Sequence, residues 1–380
     1  MGTFSKRWTA RLMGSLGVAR LMRRANRHRP AVLMYHGVVR DDEKYVPPWM
    51  VTESQFRWQM TYLASHHRVL PLSEVVTSLL EGRSLPPYSV ALTFDDGFRN
   101  NYTIAYPILK EFGFPATIFL VTGYLDTDQA LWPDVLFQLL HRTEVEYLDL
   151  SDLGDGRHGL RTPRDRWIVF SEMIEYLKNL PVGEKNWRLR ELARRLRIDL
   201  ETIVRNEHDA CALLRWSEVR AMAAEGLISF GVHTDTHEIL TRLSLDEARR
   251  QIVISKQKLE CQLGEPVRFF AYPNGRPGDF NEAIKQEVKK QGFTCAFAST
   301  GGLIGYPFDP FALERLGISR DMSRSYFKFK LSGGVAWFDK RLRRRGGVRD
   351  EGESFARGTS RGRWELETEP VKVALPEMGD

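Results

Sequence analysis

The sequence predicts an α/β protein in which repeated β/α units build a parallel sheet. From Pro30 onward, short apolar runs alternate with amphipathic stretches, which is the pattern of strands that are each followed by a helix. Acidic or histidine residues come directly after several of these apolar runs. Parallel β/α barrels place their chemistry at the carboxyl ends of the strands. We therefore expect a β/α barrel with its functional residues at that edge.

Seven apolar runs are expected to form strands. They are short and rich in β-branched and aromatic residues, as is typical of buried strands. The stretches between them carry apolar residues at helical spacing, as Phe56, Met60 and Leu63 do. The predicted strands are 31–35, 67–70, 90–94, 116–121, 228–232, 268–272 and 294–298, and helices are predicted over 54–65, 73–81 and 101–112.

Composition separates the chain into four regions. The barrel is predicted over 30–125 and 212–320, and 42% hydrophobic residues are enough for one large core. Between the two parts the β/α alternation stops, and a charged segment rich in Leu and Arg predicts a helical insertion over 126–211. Residues 1–29 predict a basic amphipathic helix. Residues 321–380 predict a flexible basic extension, largely disordered after about residue 345.

The charge distribution indicates what the protein contacts. The net charge is +6, but Lys and Arg concentrate near the two ends, which argues against nucleic-acid binding by the core. The 1–29 segment has no acidic residue, so its helix would either lie on an anionic membrane surface or pack on the barrel. Since no stretch predicts a transmembrane helix or a signal peptide, we expect a protein that is cytoplasmic or peripheral on the inner face of the cytoplasmic membrane. The apolar positions of this helix are Phe4, Trp8, Leu12, Leu16 and Ala19.

Two adjacent carboxylates follow the predicted strand 90–94. Asp95 and Asp96 precede Gly97, which permits a sharp turn of the backbone. Neighbouring side chains at such a turn point in different directions, so one can bind a cation while the other faces a reacting water. An Asp-Gly pair also makes ordinary turns, and the tripeptide alone leaves that alternative open.

Two histidines four residues apart follow the predicted strand 228–232. On a helical turn this spacing would place the rings of His233 and His237 on one side, where their nitrogens can converge on a metal ion. With Asp96 they make two imidazoles and one carboxylate, the ligand types of hydrolytic zinc sites. We expect a divalent cation there, Zn²⁺ first and Co²⁺ or Ni²⁺ as alternatives. Asp95 is then free to act as a general base.

Two more elements end at the same predicted edge. After 268–272 comes a tight loop formed by Tyr272, Pro273, Asn274 and Gly275, whose backbone N–H groups can face a developing oxyanion. His36 follows the run 31–35. Taken alone, each element is more often an ordinary turn or a structural histidine.

In this order, the motifs resemble those of the polysaccharide deacetylases, also called NodB-homology domains or carbohydrate esterase family 4. The resemblance rests on Thr-Phe-Asp-Asp-Gly at 93–97, His-Thr-Asp-Thr-His at 233–237 and Tyr-Pro-Asn-Gly at 272–275. It organises residues 30–320 apart from the insertion, and it implies a distorted (β/α)7 TIM-like barrel, a bound Zn²⁺ or similar cation, and hydrolysis of N-acetyl or O-acetyl groups. It assigns Asp95 as the base, the Asn274 N–H as the oxyanion donor, and as metal ligands Asp96, His233 and His237.

Two departures from the family pattern raise further expectations. The arginine that usually stands two residues before the loop proline is Ala271 here, and Arg315 is the candidate to brace the catalytic aspartate instead. The late Leu-x-His motif that supplies the general acid is absent after Pro273. Circularly permuted family members carry it near the N-terminus, and Leu-Met-Tyr-His at 33–36 resembles that case. His36 is therefore expected to protonate the leaving amine.

The sequence thus predicts a metal-dependent hydrolase that removes N-acetyl groups from a polysaccharide or lipid-linked oligosaccharide. Its partner would be an acetylated amino-sugar glycan, in bacterial exopolysaccharide or cell-envelope metabolism. Two alternatives stay open: an O-acetyl esterase on the same barrel, and a glycan-binding barrel without catalysis. The presence of Asp95 beside three ligands favours an enzyme, because a binding module has no need of a spare base.

Overall fold

The computed structural model describes residues 17–44, 46–153, 156–203 and 210–337. Its main sheet is parallel, and strands alternate with helices along the chain. The strands are β1 (Ala31–Tyr35), β2 (Val38–Val39), β3 (Val51–Thr52), β4 (Arg68–Val69), β5 (Ser89–Phe94), β6 (Ala116–Leu120), β7 (Tyr147–Asp149), β8 (Arg157–Gly159), β9 (Ile228–Val232), β10 (Phe269–Ala271), β11 (Cys295–Phe297) and β12 (Leu316–Gly317). The α-helices are α1 (Val18–Ala25), α2 (Glu53–His66), α3 (Leu72–Leu80), α4 (Tyr106–Phe112), α5 (Trp132–Arg142), α6 (Pro163–Lys178), α7 (Val182–Leu196), α8 (Trp216–Ala224), α9 (Leu245–Leu263), α10 (Glu282–Lys290) and α11 (Arg324–Leu331).

The sheet curls until one segment of the chain contacts both of its edges. The strand order is β11-β10-β9-β6-β5-β1-β12, and β4 pairs with the start of β5. β12 pairs with β1, while Leu313, three residues before β12, forms a parallel bridge with Phe297 of β11. The Leu313 N–H donates to the Ala296 carbonyl at 2.9 Å, and the Ala298 N–H donates back to Leu313 at 2.9 Å. The predicted α/β fold with a distorted seven-stranded barrel is confirmed.

Each face of the sheet packs against its own apolar core, because side chains of a strand alternate between the two faces. Leu33 of β1 and Leu92 of β5, which are opposite in register, belong to the larger core, which also includes residues of α2 and α4. Val32 and Ala91, also opposite in register, belong to a smaller core with Phe119 and residues of α3. Since both faces are covered, most residues of the barrel strands are apolar.

Six of the seven predicted strands coincide with barrel strands, and the seventh prediction falls on a strand outside the barrel order. The run 67–70 contains β4, which lies beside β5 and outside the seven-strand order. The seventh barrel strand, β12, was missed because only Leu316 and Gly317 pair with β1 and too few residues are involved for an apolar pattern. The predicted helix over 101–112 begins as one π-helical turn, Asn101–Ala105, before α4.

The segment predicted as a helical insertion, 126–211, has a core of its own. It contains α5, α6, α7 and a short antiparallel hairpin of β7 and β8. Leu136, Phe170 and Leu189 are among the buried residues of this core. Trp49, in the loop before β3, packs its ring against Phe137 and Phe170 with centroids 5.8 Å away, which joins the insertion to the barrel.

The two terminal regions are described only in part. Residues 1–16, with the predicted apolar positions Phe4, Trp8, Leu12 and Leu16, lie outside the described residues, as does the segment expected to be disordered after about residue 345. In α11, Phe327, Phe329 and Leu331 are buried, so the start of the 321–380 region packs on the barrel. Among the described residues, no helix has both the length and the apolar composition needed to cross a bilayer.

Candidate metal centre and active site

The two predicted acidic residues lie together at the carboxyl end of β5. Asp95 and Asp96 are buried, with 3% and 5% of their surfaces exposed. Asp96 has φ 74° and Gly97 has φ 82°, so the backbone turns sharply after the strand and sends the two carboxylates in different directions. A Cβ on Gly97 would lie 2.6 Å from Leu120 Cδ2, which gives a second reason for glycine here.

His233 and His237 follow β9, but the predicted helical turn was wrong. Residues 233–237 form a loop in which Thr234 and His237 have positive φ values of 67° and 58°. The Thr234 hydroxyl accepts a hydrogen bond from the His237 N–H at 3.1 Å. The two rings still converge, with centroids 5.0 Å away from each other. The two imidazoles are therefore brought together by two residues with left-handed backbone conformation and not by a helical turn.

Asp235 holds this loop in place, a role that the sequence reasoning missed. Its carboxylate accepts hydrogen bonds from the Thr122 hydroxyl and from Lys258 Nζ, both at 2.8 Å. The side-chain oxygen of Gln251 accepts from the backbone N–H groups of Asp235 and Thr236 at 3.1 and 2.9 Å. The sequence did contain a sign of this role, because an acidic residue stands between the two histidines. Its carboxylate can accept the hydrogen bonds that fix such a loop.

The structure brings Asp96, His233 and His237 together as three possible metal ligands. One atom from each lies within 4.8 Å of the others. Asp96 Oδ1 is 3.5 Å from His233 Nε2 and 3.3 Å from His237 Nε2. His233 Nδ1 is 2.8 Å from the Ala271 carbonyl, which can only accept, so the Nε2 atom presents its lone pair to the carboxylate.

This arrangement fits a cation. Burial, the largest effect, lowers the pKa of His233 to about 4, so the ring is neutral at neutral pH. The lone pair of His233 Nε2 then faces the lone pairs of Asp96 Oδ1. Asp96 Oδ1 is buried and has no hydrogen-bond donor among the described residues. Such a pair is unfavourable unless a positive charge lies between them, and two imidazoles with one carboxylate are ligands that Zn²⁺, Co²⁺ and Ni²⁺ accept.

Arg315 lies inside the barrel and binds Asp95 with both nitrogens of its guanidinium fork. Its Nη1 is 2.6 Å from Asp95 Oδ1 and its Nη2 is 2.7 Å from Oδ2. Only 1% of Arg315 is exposed, and its guanidinium carbon lies 5.3 Å from the centre of the Phe119 ring. Arg315 thus reaches Asp95 from the segment that closes the barrel.

The charges around the two carboxyls keep both ionised. Burial opposes ionisation of Asp95, but the positive charge of Arg315 and its two hydrogen bonds outweigh it, so the pKa of Asp95 lies below its ordinary value. Burial also opposes ionisation of Asp96, but the neighbouring His237 outweighs it, so the pKa of Asp96 is lowered well below the usual range. One carboxylate is available as a ligand and the other as a proton acceptor.

His36 lies at the carboxyl end of β1, beside β5. The Asp95 N–H donates to the carbonyl of Tyr35 at 2.9 Å, which places His36 next to the acidic pair. His36 Nδ1 is buried and has no hydrogen-bond partner among the described residues. An imidazole nitrogen in this state is available for a proton transfer within the site.

The loop after β10 is held by side-chain contacts and has a backbone donor without an acceptor among the residues described. Tyr272 stacks on Phe280 with ring centres 4.2 Å away, and its hydroxyl donates to the Phe311 carbonyl at 3.0 Å. Asn274, with φ 60°, follows Pro273, and its side-chain amide donates to Asp279. In the described part of the chain no acceptor is bound by the Asn274 backbone N–H, which is what an oxyanion donor requires.

The insertion contacts both of the loops that carry site residues. Lys185 of α7 forms a buried ion pair with Glu238, the residue after His237. Glu175 of α6 pairs with Arg276, two residues after Asn274, at 3.0 Å. These contacts hold the insertion against the metal-ligand loop and the oxyanion loop, a connection that the sequence did not indicate.

Comparison with known proteins agrees with this geometry. The sequence profile of the polysaccharide deacetylase family matches residues 82–146 and 177–296, which contain the acidic pair, both histidines and the proline loop. The chain belongs to the polysaccharide deacetylase family. His36 and Arg315 lie outside the matched residues, as do the hairpin and most of α6 in the insertion of this family member.

Relatives and solved structures extend the comparison. The chain is 39% identical over 83 residues to the poly-β-1,6-N-acetyl-D-glucosamine N-deacetylase of Staphylococcus aureus. This alignment covers 22% of the present chain and 28% of the relative. The chain therefore matches less than a third of that protein's length. Two structures show the same fold. The Streptococcus pyogenes deacetylase PplD has a TM-score of 0.52 and 20% identity, with coverage of 80% of this chain and 98% of that one. A de-N-acetylase from Aggregatibacter actinomycetemcomitans has a TM-score of 0.52 and 18% identity, with coverage of 80% and 99%.

Proposed function

We propose that the chain is a metal-dependent hydrolase that removes N-acetyl groups from an amino-sugar glycan. The observation that carries this proposal is the pairing of two differently used carboxylates at one strand end. Asp96 faces two imidazole nitrogens, while Asp95, its neighbour, is held by Arg315 and stays outside the ligand set. A site that only binds a cation has no need of the second acid.

The residues would divide the reaction as follows. A divalent cation held by Asp96, His233 and His237 would polarise the acetyl carbonyl and make water more acidic. Asp95 accepts the proton of the water that attacks the carbonyl carbon, and Arg315 keeps that carboxylate ionised and oriented. The N–H of Asn274 donates to the oxyanion that develops, beside Tyr272 and Pro273. His36 gives a proton to the leaving nitrogen as the C–N bond breaks, so that acetate and a free amine result.

An acetylated amino-sugar glycan, either a polysaccharide or a lipid-linked oligosaccharide, is the substrate class that we propose. It is supported by the family membership and by the activity for which the Staphylococcus aureus relative is named. The context would be bacterial exopolysaccharide or cell-envelope metabolism, at the inner face of the cytoplasmic membrane or in the cytoplasm. The role of His36 as the acid requires that the family motifs occur here in circularly permuted order. We propose both together.

Mass spectrometry of acetylated glycans tests the proposal. Chelator-treated protein is reloaded with one equivalent of Zn²⁺, Co²⁺ or Ni²⁺ and incubated with oligomers of β-1,6- or β-1,4-linked N-acetylglucosamine and with lipid-linked acetylated intermediates. We expect the loss of single acetyl units together with the appearance of free amine. If only O-acetylated substrates lose acetate and no amine forms, the protein is the O-acetyl esterase instead.

The variant Asp95→Asn separates an enzyme from a binding protein. It removes the base but keeps the shape of the side chain, so turnover should fall by about 10²–10⁴-fold while bound metal, measured by elemental analysis, is retained. A metal-loaded protein that leaves every acetylated glycan and small acetyl ester unchanged would favour the glycan-binding barrel.

A further inference from the structure

Exposed apolar side chains gather at one end of the barrel. Among the described residues, eight large hydrophobic side chains are exposed, and four of them lie near the amino ends of the strands. Their exposed fractions are high for apolar groups: 75% for Leu21, 67% for Tyr306, and 43% each for Leu80 and Trp337. Exposed apolar groups that cluster in this way mark an interaction surface more often than scattered ones do.

Chain connections place these four residues at the same end. Leu80 ends α3, whose chain leads into the amino end of β5, and the Tyr306 hydroxyl donates to the Leu79 carbonyl at 2.9 Å. Leu21 lies on α1, which leads into the amino end of β1. Trp337 follows a segment held against the end of α1, since the Asn26 amide donates to the Ser332 carbonyl at 2.9 Å.

The same surface is strongly basic. Residues 17–40 contain no acidic residue. Arg23 and Arg29 fix α1 to the barrel, because Arg23 lies over the Tyr88 ring at 4.6 Å and Arg29 donates to the Leu303 carbonyl at 2.7 Å. Four further arginines on α1, between α1 and β1, and at the start of β4 are exposed, and Glu81, which follows α3, is paired with Arg83. These four are Arg20, Arg24, Arg27 and Arg68.

We propose that this surface binds an anionic phospholipid bilayer peripherally. We call it the basic face: Leu21, Leu80, Tyr306 and Trp337 with the four exposed arginines. Arginines alone would suit any polyanion, and apolar residues alone would suit a second copy of the chain. Apolar and cationic side chains interleaved on one surface suit the lipid headgroup region, where the apolar groups enter the interface and the cations meet anionic headgroups.

Bilayer binding through the basic face would set the orientation of the catalytic edge. The acidic pair and the two histidines lie at the carboxyl ends of the strands, and the basic face lies at their amino ends. In a membrane-bound molecule, the metal centre would therefore face away from the lipid surface. Docking leaves the metal centre accessible, so this inference does not depend on the proposed reaction.

Vesicle co-sedimentation of the full chain tests the proposal, with no metal or glycan added. The probes are phosphatidylcholine vesicles with and without phosphatidylglycerol. We expect the wild type to bind only the anionic vesicles. The variant Arg20→Glu/Arg24→Glu should bind about tenfold more weakly or worse, since each cation near such a surface contributes on the order of 1 kcal/mol. Leu21→Ser/Tyr306→Ser should also bind about tenfold more weakly, and its residual binding should vanish at high salt.

Trp187→Ser/Arg190→Glu is the matched control, because it removes an exposed aromatic and an exposed arginine from the insertion, at the other end of the barrel. It should bind like the wild type. The proposal is overturned if the wild type ignores anionic vesicles, or if both test variants bind as the control does, which would assign binding to the basic terminal segments. It is also overturned if sedimentation velocity shows a wild-type dimer that Leu21→Ser/Tyr306→Ser dissociates.

Discussion

Arg315 and Asp95, 220 residues away from each other in the chain, meet in a buried bidentate ion pair inside the barrel. The pair joins β5 to the segment that closes the sheet, so the same contact contributes to barrel closure and to the state of the proposed base. Buried arginine pairs with carboxylates are strong only when both charges are present, because either one alone is costly in an apolar interior.

Removing the arginine should therefore destabilise the fold. In Arg315→Met the Asp95 carboxylate stays buried without its partner, and we expect the free energy of unfolding to fall by about 3–5 kcal/mol. Urea denaturation measures it. The double variant Arg315→Met/Asp95→Asn should recover part of the loss, because no uncompensated charge remains. A loss below about 1 kcal/mol in the single variant, the size typical of exposed pairs, would contradict the role assigned to this contact.

The three proposed ligands should control metal affinity, whereas His36 should not. Calorimetric titration of chelator-treated protein with Zn²⁺ compares Asp96→Asn, His233→Ala and His237→Ala with His36→Ala. We expect each ligand variant to bind about a hundredfold more weakly or worse, since even the loss of an outer partner of a ligand costs about 10–100-fold. His36→Ala should keep the wild-type affinity and lose turnover. Equal loss of affinity in all four variants would mean that His36 is also a ligand.

The ion pair between the insertion and the metal-ligand loop should contribute to stability as a unit. The side chains of Lys185 and Glu238 are only 4% and 10% exposed. Lys185→Met leaves Glu238 buried and unpaired, and we expect a loss of about 3–5 kcal/mol in unfolding free energy, partly restored in Lys185→Met/Glu238→Gln.

A matched exposed pair provides the control for that experiment. Lys110 and Glu225 are 2.6 Å from each other, and each side chain is 49% exposed. Lys110→Met should change the unfolding free energy by less than about 1 kcal/mol, since water screens the pair. If the two Lys→Met variants behave alike, the insertion is not anchored through Glu238.

The stability of the protein should depend on pH through His67. Burial and then the charge of Arg23 lower the pKa of His67 from 6.5 to about 4 in the folded protein. Between these values the unfolded chain binds a proton that the folded protein does not, so the free energy of unfolding should increase as pH rises from 4 to 6.5. His67→Phe should reduce this slope, as measured by urea denaturation at several pH values. Parallel curves for wild type and variant would exclude His67 as the cause.

Local sequence patterns predicted the parts of this protein that depend on neighbours in the chain. Six barrel strands follow from apolar runs, because strands buried on both faces have no polar alternation to obscure them. The acidic pair, the two histidines and the proline loop were placed at one edge because parallel strands end at one edge. β12 and the exact path of residues 233–237 were not predicted, since two paired residues and two positive φ values leave no periodic signal.

Sequence alone determined the fold class and the chemical types of the site residues, for these depend on composition and short spacing. Tertiary structure decided which groups meet: the guanidinium of Arg315 with Asp95, Asp96 Oδ1 with two imidazoles, and Lys185 of the insertion with Glu238. It also decided that exposed apolar residues from four separate segments share one basic surface. The physical reason is that such contacts join residues distant in the chain, and their energies depend on burial and distance, which exist only once the barrel has closed.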